Sequence, residues 1–225
     1  MTETCSLSQN AFESIAVFDL DDTLLKKNCS KYFFFFLLKK KYYAKRSLFF
    51  YFLCYVRFRF ITHSLEDLHK RVFKRFLKGK NLDFLEAEAK EFWSIYFTPL
   101  IRGSVLERLL QAKSHGAMTL ILSSSPEFLI KPLAEKLEVC LYRGSQYNVD
   151  EKNCLIEIGS IVHGPTKATY VQELKEKFRL KKISAYSDDI SDLPLLKVAC
   201  QPICVQPKRK LAGICKKNKW ETINR

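Results

Sequence analysis

Three short apolar runs that each break off in acids or hydroxyls constrain this chain more than any other feature. "SIAVFDL" (14–20) opens into an acidic loop, "AMTLILSSS" (117–125) ends in a hydroxyl cluster, and "KKISAYSDD" (181–189) ends in acids again. A fourth run, "PICVQP" (202–207), follows. Apolar runs of this length without polar alternation suit strands buried on both faces. Helical patterns lie between them. "PLIRGSVLERLLQAKSHG" closes at Gly116, "PEFLIKPLAEKLEV" has Pro126 at a first helical position, and "PTKATYVQELKEKFRL" places Tyr170, Val171, Leu174 and Phe178 on one stripe. The alternation predicts an α/β fold: a Rossmann-like, doubly wound parallel sheet with helices on both faces. Functional groups of such sheets gather at the carboxyl ends of the strands, where these acids and hydroxyls fall.

Two segments interrupt the pattern. Residues 145–160 read as two short strands around a polar turn at Asp150–Asn153, a hairpin flap. Residues 26–99 hold no convincing strand. "SLEDLHKRVFKRFL" has a Ser64 cap, acids in its first turn and Leu65, Leu68, Val72 and Phe76 on one stripe; "NLDFLEAEAKEFWSIYF" repeats the design with Leu85, Ala89, Phe92 and Tyr96. The expected organisation is a core of residues 1–25 plus 99–225, carrying a helical insertion at 26–98. A chain of 225 residues suits one core with a smaller insertion.

The strand ends carry the chemistry. Asp19 and Asp21 alternate at the first, followed by Asp22 and Thr23; two carboxylates there repel unless a cation or proton separates them, and a hard divalent cation, most simply Mg2+, is the natural guest. The third strand end offers Asp188, Asp189 and Asp192. Ser123–Ser125 place hydroxyls and free N–H groups ahead of a helix, a setting for an anion. Lys167 sits at a helix start, where the dipole disfavours a cation unless an anion is near. Each piece alone also suits a capped turn, a serine cap or an exposed lysine. Their order, carboxylate pair, hydroxyl, lysine, carboxylate pair, is the stronger signal.

In "FDLDDTL", "LILSSSPE", "GPTK" and "YSDDISDLPLL" the chain resembles the haloacid dehalogenase superfamily of phosphohydrolases. The finer likeness is to subfamily IB, which includes phosphoserine phosphatases and bacterial phosphatidylglycerophosphatases; it covers residues 14–25 and 99–222 well and the insertion poorly. The resemblance implies that Asp19 is the nucleophile that forms an aspartyl-phosphate and that Asp21 is the general acid and base. It implies that Ser123 and Lys167 hold the phosphoryl oxygens. Mg2+ would be held by Asp19, the main-chain carbonyl of Asp21 and Asp188, with Asp192 in support. Ser124 and Ser125 stand where phosphoserine phosphatases commonly have glycines, and Asp189 and Ser191 replace a Gly and an Asn, which points away from phosphoserine itself.

In that superfamily a helical insertion after the first motif acts as a cap that selects substrate. Here it is unusual. Of the +14 formal charge, all falls between Lys26 and Lys80, with 16 Lys or Arg against Glu66 and Asp67. Such a surface meets something anionic. Residues 32–38 and 48–56 are uninterrupted apolar runs, each too short to span a bilayer, which takes about 20 residues. Helices lying in the interface, with aromatics inserted and lysines at the headgroups, are expected instead. A lipid phosphate such as phosphatidylglycerophosphate is therefore the expected substrate, with residues 26–80 contacting an anionic membrane. The alternative is a phosphatase of a small soluble metabolite whose aromatics merely build the cap. Nucleic acid is disfavoured, because runs of Phe and Leu do not suit a hydrated groove. Eight cysteines without a framework spacing read as free thiols in a reducing compartment, and the first ten residues lack the features of a signal peptide. The expected location is the cytoplasm, at the inner face of the membrane.

Overall fold

The computed structural model describes residues 2–3, 12–62 and 64–224. In chain order, an edge strand β1 (Thr2–Glu3) precedes β2 (Ser14–Phe18), after which the chain leaves the sheet for α1 (Cys29–Lys39), α2 (Ser47–Arg57), α3 (Leu65–Val72) and α4 (Leu82–Leu100). It returns through α5 (Gly103–Ser114) to β3 (Met118–Pro126), and α6 (Glu127–Leu137) leads to β4 (Leu141–Val149) and β5 (Leu155–Ser160). Then come α7 (Gly164–Lys177), β6 (Lys182–Ser187), α8 (Leu193–Val198), β7 (Gln201–Val205), α9 (Arg209–Asn218) and β8 (Glu221–Ile223). The strand order is β1-β4-β3-β2-β6-β7-β8, with β5 paired to β4. β2 lies between β3 and β6, parallel to both, so from β2 onward the strands are added outward in both directions. This is the expected doubly wound α/β sheet.

β2 shows why two layers of helices are needed. Successive side chains of a strand point to opposite faces. Ile15 and Val17 join a core built with Val171, Leu174, Leu195 and Leu211 of α7, α8 and α9. Ala16 and Phe18 join the opposite core, with Leu109, Leu129 and Leu133 of α5 and α6.

Several boundaries differ from expectation. The helix expected from Pro99 to Gly116 is two: Pro99 lies in the last turn of α4, and extended Ile101 forms a bridge with Leu25 before α5 begins. That bridge, with Lys26 N–H donating to the Leu100 carbonyl (2.7 Å) and Arg102 N–H to that of Leu24 (2.9 Å), fastens the two crossings into and out of the insertion. The hairpin is present, but β4 begins earlier and serves twice: Leu141–Arg143 pair with β3 in the main sheet, and its later residues pair with β5. Cys204 and Cys215, expected as free thiols, are joined between β7 and α9; Cys29 and Cys54 are buried and free, and Cys5 lies outside the described residues.

Between β2 and α5 the chain forms α1 to α4, with Asn28, Ser64 and Asn81 accepting from N–H groups of the first turns of α1, α3 and α4. Its first greasy run is not an interfacial helix. Phe33, Phe34, Phe36 and Leu37 are buried, and Phe33 meets Phe92 of α4 edge-on at 5.5 Å and Phe128 of α6 at 6.2 Å. Most of the apolar surface of α1 is consumed by its neighbours, while Phe35 stays at the surface. The hairpin helps to hold the insertion: Gly79 N–H donates to the Leu155 carbonyl, Leu82 N–H to that of Asn153, and Phe73 stacks on Tyr147 at 5.4 Å. Among the described residues no helix is long and apolar enough to cross a membrane.

Candidate active site

Asp19 is the residue at which β2 ends. Its N–H still donates to the Tyr186 carbonyl of β6 (3.0 Å), while its own carbonyl accepts from Leu24 N–H (3.3 Å) across a wide turn. Asp22 turns that corner at φ 60°, a left-handed conformation that Asp tolerates better than most residues. Arg102 braces it, donating from Nη2 to the Asp22 carbonyl and from Nε to that of Thr23, each at 2.9 Å.

The Asp19 carboxylate meets Lys167. The ammonium donates to Asp19 Oδ1 at 2.6 Å and to Asp192 Oδ2 at 2.7 Å, and Ser187 Oγ donates to the same Asp192 oxygen at 2.9 Å. Lys167 and Asp192 are each only 3% exposed, and Asp19 7%. A lysine so buried keeps its charge only with partners of opposite sign. Burial opposes the charge on Lys167, but Asp19 and Asp192 outweigh it and hold the ammonium above the usual lysine range. Its position depends on a close approach: a Cβ on Gly164 would lie 1.6 Å from the Ser191 carbonyl oxygen, so only glycine lets the start of α7 seat against the loop that carries Asp192.

Asp21 faces the insertion. Its Oδ1 accepts from Cys29 N–H at the start of α1 (2.7 Å), and its Oδ2 from Ser125 Oγ (2.7 Å) and Asn28 Nδ2 (3.0 Å). Ser125 Oγ is also 2.8 Å from Ser30 Oγ. Burial pushes the Asp21 carboxyl up, and the Cys29 and Ser125 hydrogen bonds pull it back only in part. It is thus a carboxyl with raised proton affinity, fixed at the junction of core and insertion.

Asp188 accepts from Thr23 Oγ1 at 3.2 Å and pairs with Lys208 Nζ at 2.8 Å, and the same ammonium reaches Asp189 at 2.8 Å. Burial pushes Asp188 up and Lys208 pulls it down. For Asp19 burial is the largest influence; Lys167 opposes it, Asp192 and Asp188 add to it, and the result is a carboxyl pushed up to about 8. This corner therefore holds more carboxylate than its two lysines compensate, which is where a hard divalent cation belongs. No group of three metal-ligating side chains occurs among the described residues. The expected donors, two carboxylates and one main-chain carbonyl, are hard oxygens and fit an ion that keeps several waters or shares substrate oxygens.

The structure brings together Asp19, Lys167 and Asp192, with Asp188 close enough to act on Asp19 electrostatically. Ser123, at the neighbouring strand end, is buried, and its Oγ accepts from Ser125 N–H (3.1 Å). The residues that sequence reasoning missed are those that hold others: Ser125 and Asn28 on Asp21, Thr23 and Lys208 on Asp188, Arg102 on the turn. Ser125 was visible only as part of a hydroxyl cluster, and Lys208 and Arg102 lie outside the conspicuous motifs.

A model of the haloacid dehalogenase-like hydrolase family matches residues 16–197, which includes every one of the four strand ends and helix starts described above. The chain is 27% identical over 226 residues to a histidinol-phosphatase of Neisseria meningitidis, covering 94% of this chain and 99% of that one. It is 24% identical over 212 residues to the phosphoserine phosphatase SerB1 of Mycobacterium tuberculosis, covering 92% and 69%. In fold it is similar to a Bordetella pertussis protein of unknown function, with a TM-score of 0.84 at 19% identity, covering 94% and 98%. The chain belongs to the haloacid dehalogenase-like hydrolases.

Proposed function

We propose that this hydrolase is a Mg2+-dependent phosphomonoesterase that works through an aspartyl-phosphate on Asp19, and that its substrate is a small, water-soluble phosphorylated metabolite. The observation that carries the reading is the buried Asp19–Lys167–Asp192 cluster at the end of the central strand. An Asp19 oxygen attacks phosphorus, the bond to the leaving oxygen breaks, and Asp21 gives that oxygen its proton. Asp21 then takes a proton from the water that attacks the aspartyl-phosphate, releasing inorganic phosphate and restoring Asp19. The raised proton affinity of Asp21 suits the first half of that duty. Lys167 and Ser123 hold phosphoryl oxygens as charge develops, and Asp192 keeps Lys167 in place. Asp19, the Asp21 carbonyl and Asp188 would hold Mg2+, which supplies the positive charge that lets an anionic nucleophile approach an anionic ester.

The names of the relatives, a histidinol-phosphatase and a phosphoserine phosphatase, favour a soluble monoester over a lipid. A lipid phosphate such as phosphatidylglycerophosphate, with the enzyme at the inner face of the membrane and placed in subfamily IB, is the second reading. The exposed apolar face of α2 favours it. A phosphate-release panel decides: phosphoserine, histidinol phosphate, sugar phosphates and nucleotides beside lipid phosphates in mixed micelles, each with Mg2+ and with EDTA. A soluble monoester should give the highest kcat/KM, and only with Mg2+. A lipid phosphate that outran all of them would select the second reading, and no release from any would overturn both.

Ser125 offers a finer check, since it hydrogen-bonds Asp21 where related enzymes commonly have glycine. Ser125→Ala should lower kcat about tenfold, the worth of one hydrogen bond to a charged group, with KM nearly unchanged. Steady-state kinetics on the best panel substrate would show this; an unchanged kcat would mean that Asn28 and Cys29 position Asp21 without help.

A further inference from the structure

The two greasy runs of the insertion have opposite fates. α1 buries most of its apolar side chains, leaving Phe35 at the surface, whereas α2 turns one apolar face inward and another to solvent. Ser47 and Cys54 are buried and Tyr51 stacks on Phe34 at 4.3 Å, anchoring the inner face. Leu48, Phe49, Phe52 and Leu53 lie outward, with Phe49 68% and Phe52 58% exposed, and the turn that follows adds Phe60 at 72% and Ile61 at 65%. A patch of this kind on a folded protein marks a surface that meets something apolar.

We propose that the outward face of α2, with the turn after it, docks on the surface of an anionic phospholipid bilayer. The charge around the patch selects this occupant. Lys41, Lys45, Arg46, Lys74 and Arg75 are exposed on the same insertion. The only acids between residues 26 and 80, Glu66 and Asp67, are paired with Lys70 and with Arg57 and Arg71. A second copy of the chain would bring its own excess positive charge against this one, and like charges would oppose the contact. An anionic leaflet instead gains from every lysine or arginine at the headgroups while the aromatic side chains enter below them. With 11 residues, α2 is about 16 Å long, enough to lie in the interface and too short to cross. The inner face of the same helix is within electrostatic reach of the site: burial, and behind it the Asp21 charge, pushes the Tyr51 phenol up to about 12. The inference does not rest on which phosphate ester is hydrolysed.

Vesicle sedimentation of the full chain tests it, with phosphatidylcholine alone and with phosphatidylcholine mixed with phosphatidylglycerol. Wild type should pellet with the anionic vesicles at low salt, at least tenfold more tightly than with the zwitterionic ones, and high salt should weaken it. The double variant Phe49→Ser, Phe52→Ser should bind on the order of 100-fold more weakly, the loss expected for two inserted phenylalanines. Its thermal unfolding and its hydrolysis of a soluble aryl phosphate should be unchanged, which separates this outcome from misfolding and from failure of the catalytic reading. Wild type remaining in the supernatant with anionic vesicles would overturn the proposal. So would equal binding by the double variant, or light scattering that shows a dimer through this face with no vesicle binding.

Discussion

Asp19→Asn should reduce phosphate release on the order of 10,000-fold or more, because it replaces the proposed attacking oxygen by an amide of the same size that cannot form the phosphoenzyme. The fold should survive. Lys167 retains Asp192 as a partner at 2.7 Å, so the substitution does not leave a buried cation alone. Stability gives an independent readout with a definite sign. The Asp19 carboxyl is pushed up in the folded chain, chiefly by burial. The folded state therefore binds a proton that the unfolded state has released, and this contribution is present at acidic pH and fades as pH rises from about 4 towards 8. In EDTA the wild-type Tm should fall across that window more than the Tm of the D19N variant. Added Mg2+ should stabilise wild type more than the variant. A variant with full activity would remove the aspartyl-phosphate mechanism; one without activity and without folded structure would be answered by circular dichroism before any conclusion about chemistry.

The central sheet was legible because each of its inner strands is an apolar run that stops abruptly at polar residues, and local sequence determines both properties. The strand at Leu141–Arg143 was not, because β4 continues without a break into the hairpin, and the only visible turn signal lies at its far end. β8 is three residues long and owes its existence to β7 beside it. The split between α4 and α5 was hidden for a related reason: Ile101 leaves the helix to bridge Leu25, a partner 76 positions away in the sequence. Among the site residues, Asp19, Lys167 and Asp192 stood out through charges in places where a charge needs a reason. Ser125, Asn28 and Lys208 have ordinary local explanations, and only the folding of three distant segments onto one corner gives them partners. The insertion makes the same point about periodicity. Residues 32–38 and 48–56 are both apolar on every side, so no stripe in either tells which will be enclosed, and the structure buries most of the first and half-exposes the second.

Lys167→Met tests the opposite member of the central pair, and its first effect should be on stability. The side chain is 3% exposed and lies between two carboxylates at 2.6 and 2.7 Å. Methionine nearly matches its volume, so the change is one of charge: Asp19 and Asp192 would face each other with Ser187 as the remaining donor on Asp192. Removing one partner of a buried ion pair costs about 3–5 kcal/mol, and denaturant unfolding in EDTA at pH 7 should show a loss of that order. Two further measurements identify the cause. Acidification should narrow the gap to wild type, because protonating either carboxylate relieves the repulsion. Mg2+ should narrow it too, because a cation beside Asp19 replaces part of the lost charge. A loss caused by poor packing would respond to neither. Hydrolysis, measured with Mg2+ where the variant is folded, should still be reduced on the order of 1,000-fold, since Mg2+ restores charge near Asp19 without the ammonium proposed to hold a phosphoryl oxygen as it develops charge. Wild-type stability in EDTA would show that the pair is not electrostatically important. Wild-type activity with Mg2+ would show that Lys167 is a structural counter-ion for Asp19 and Asp192 and leave the phosphoryl oxygens to other donors.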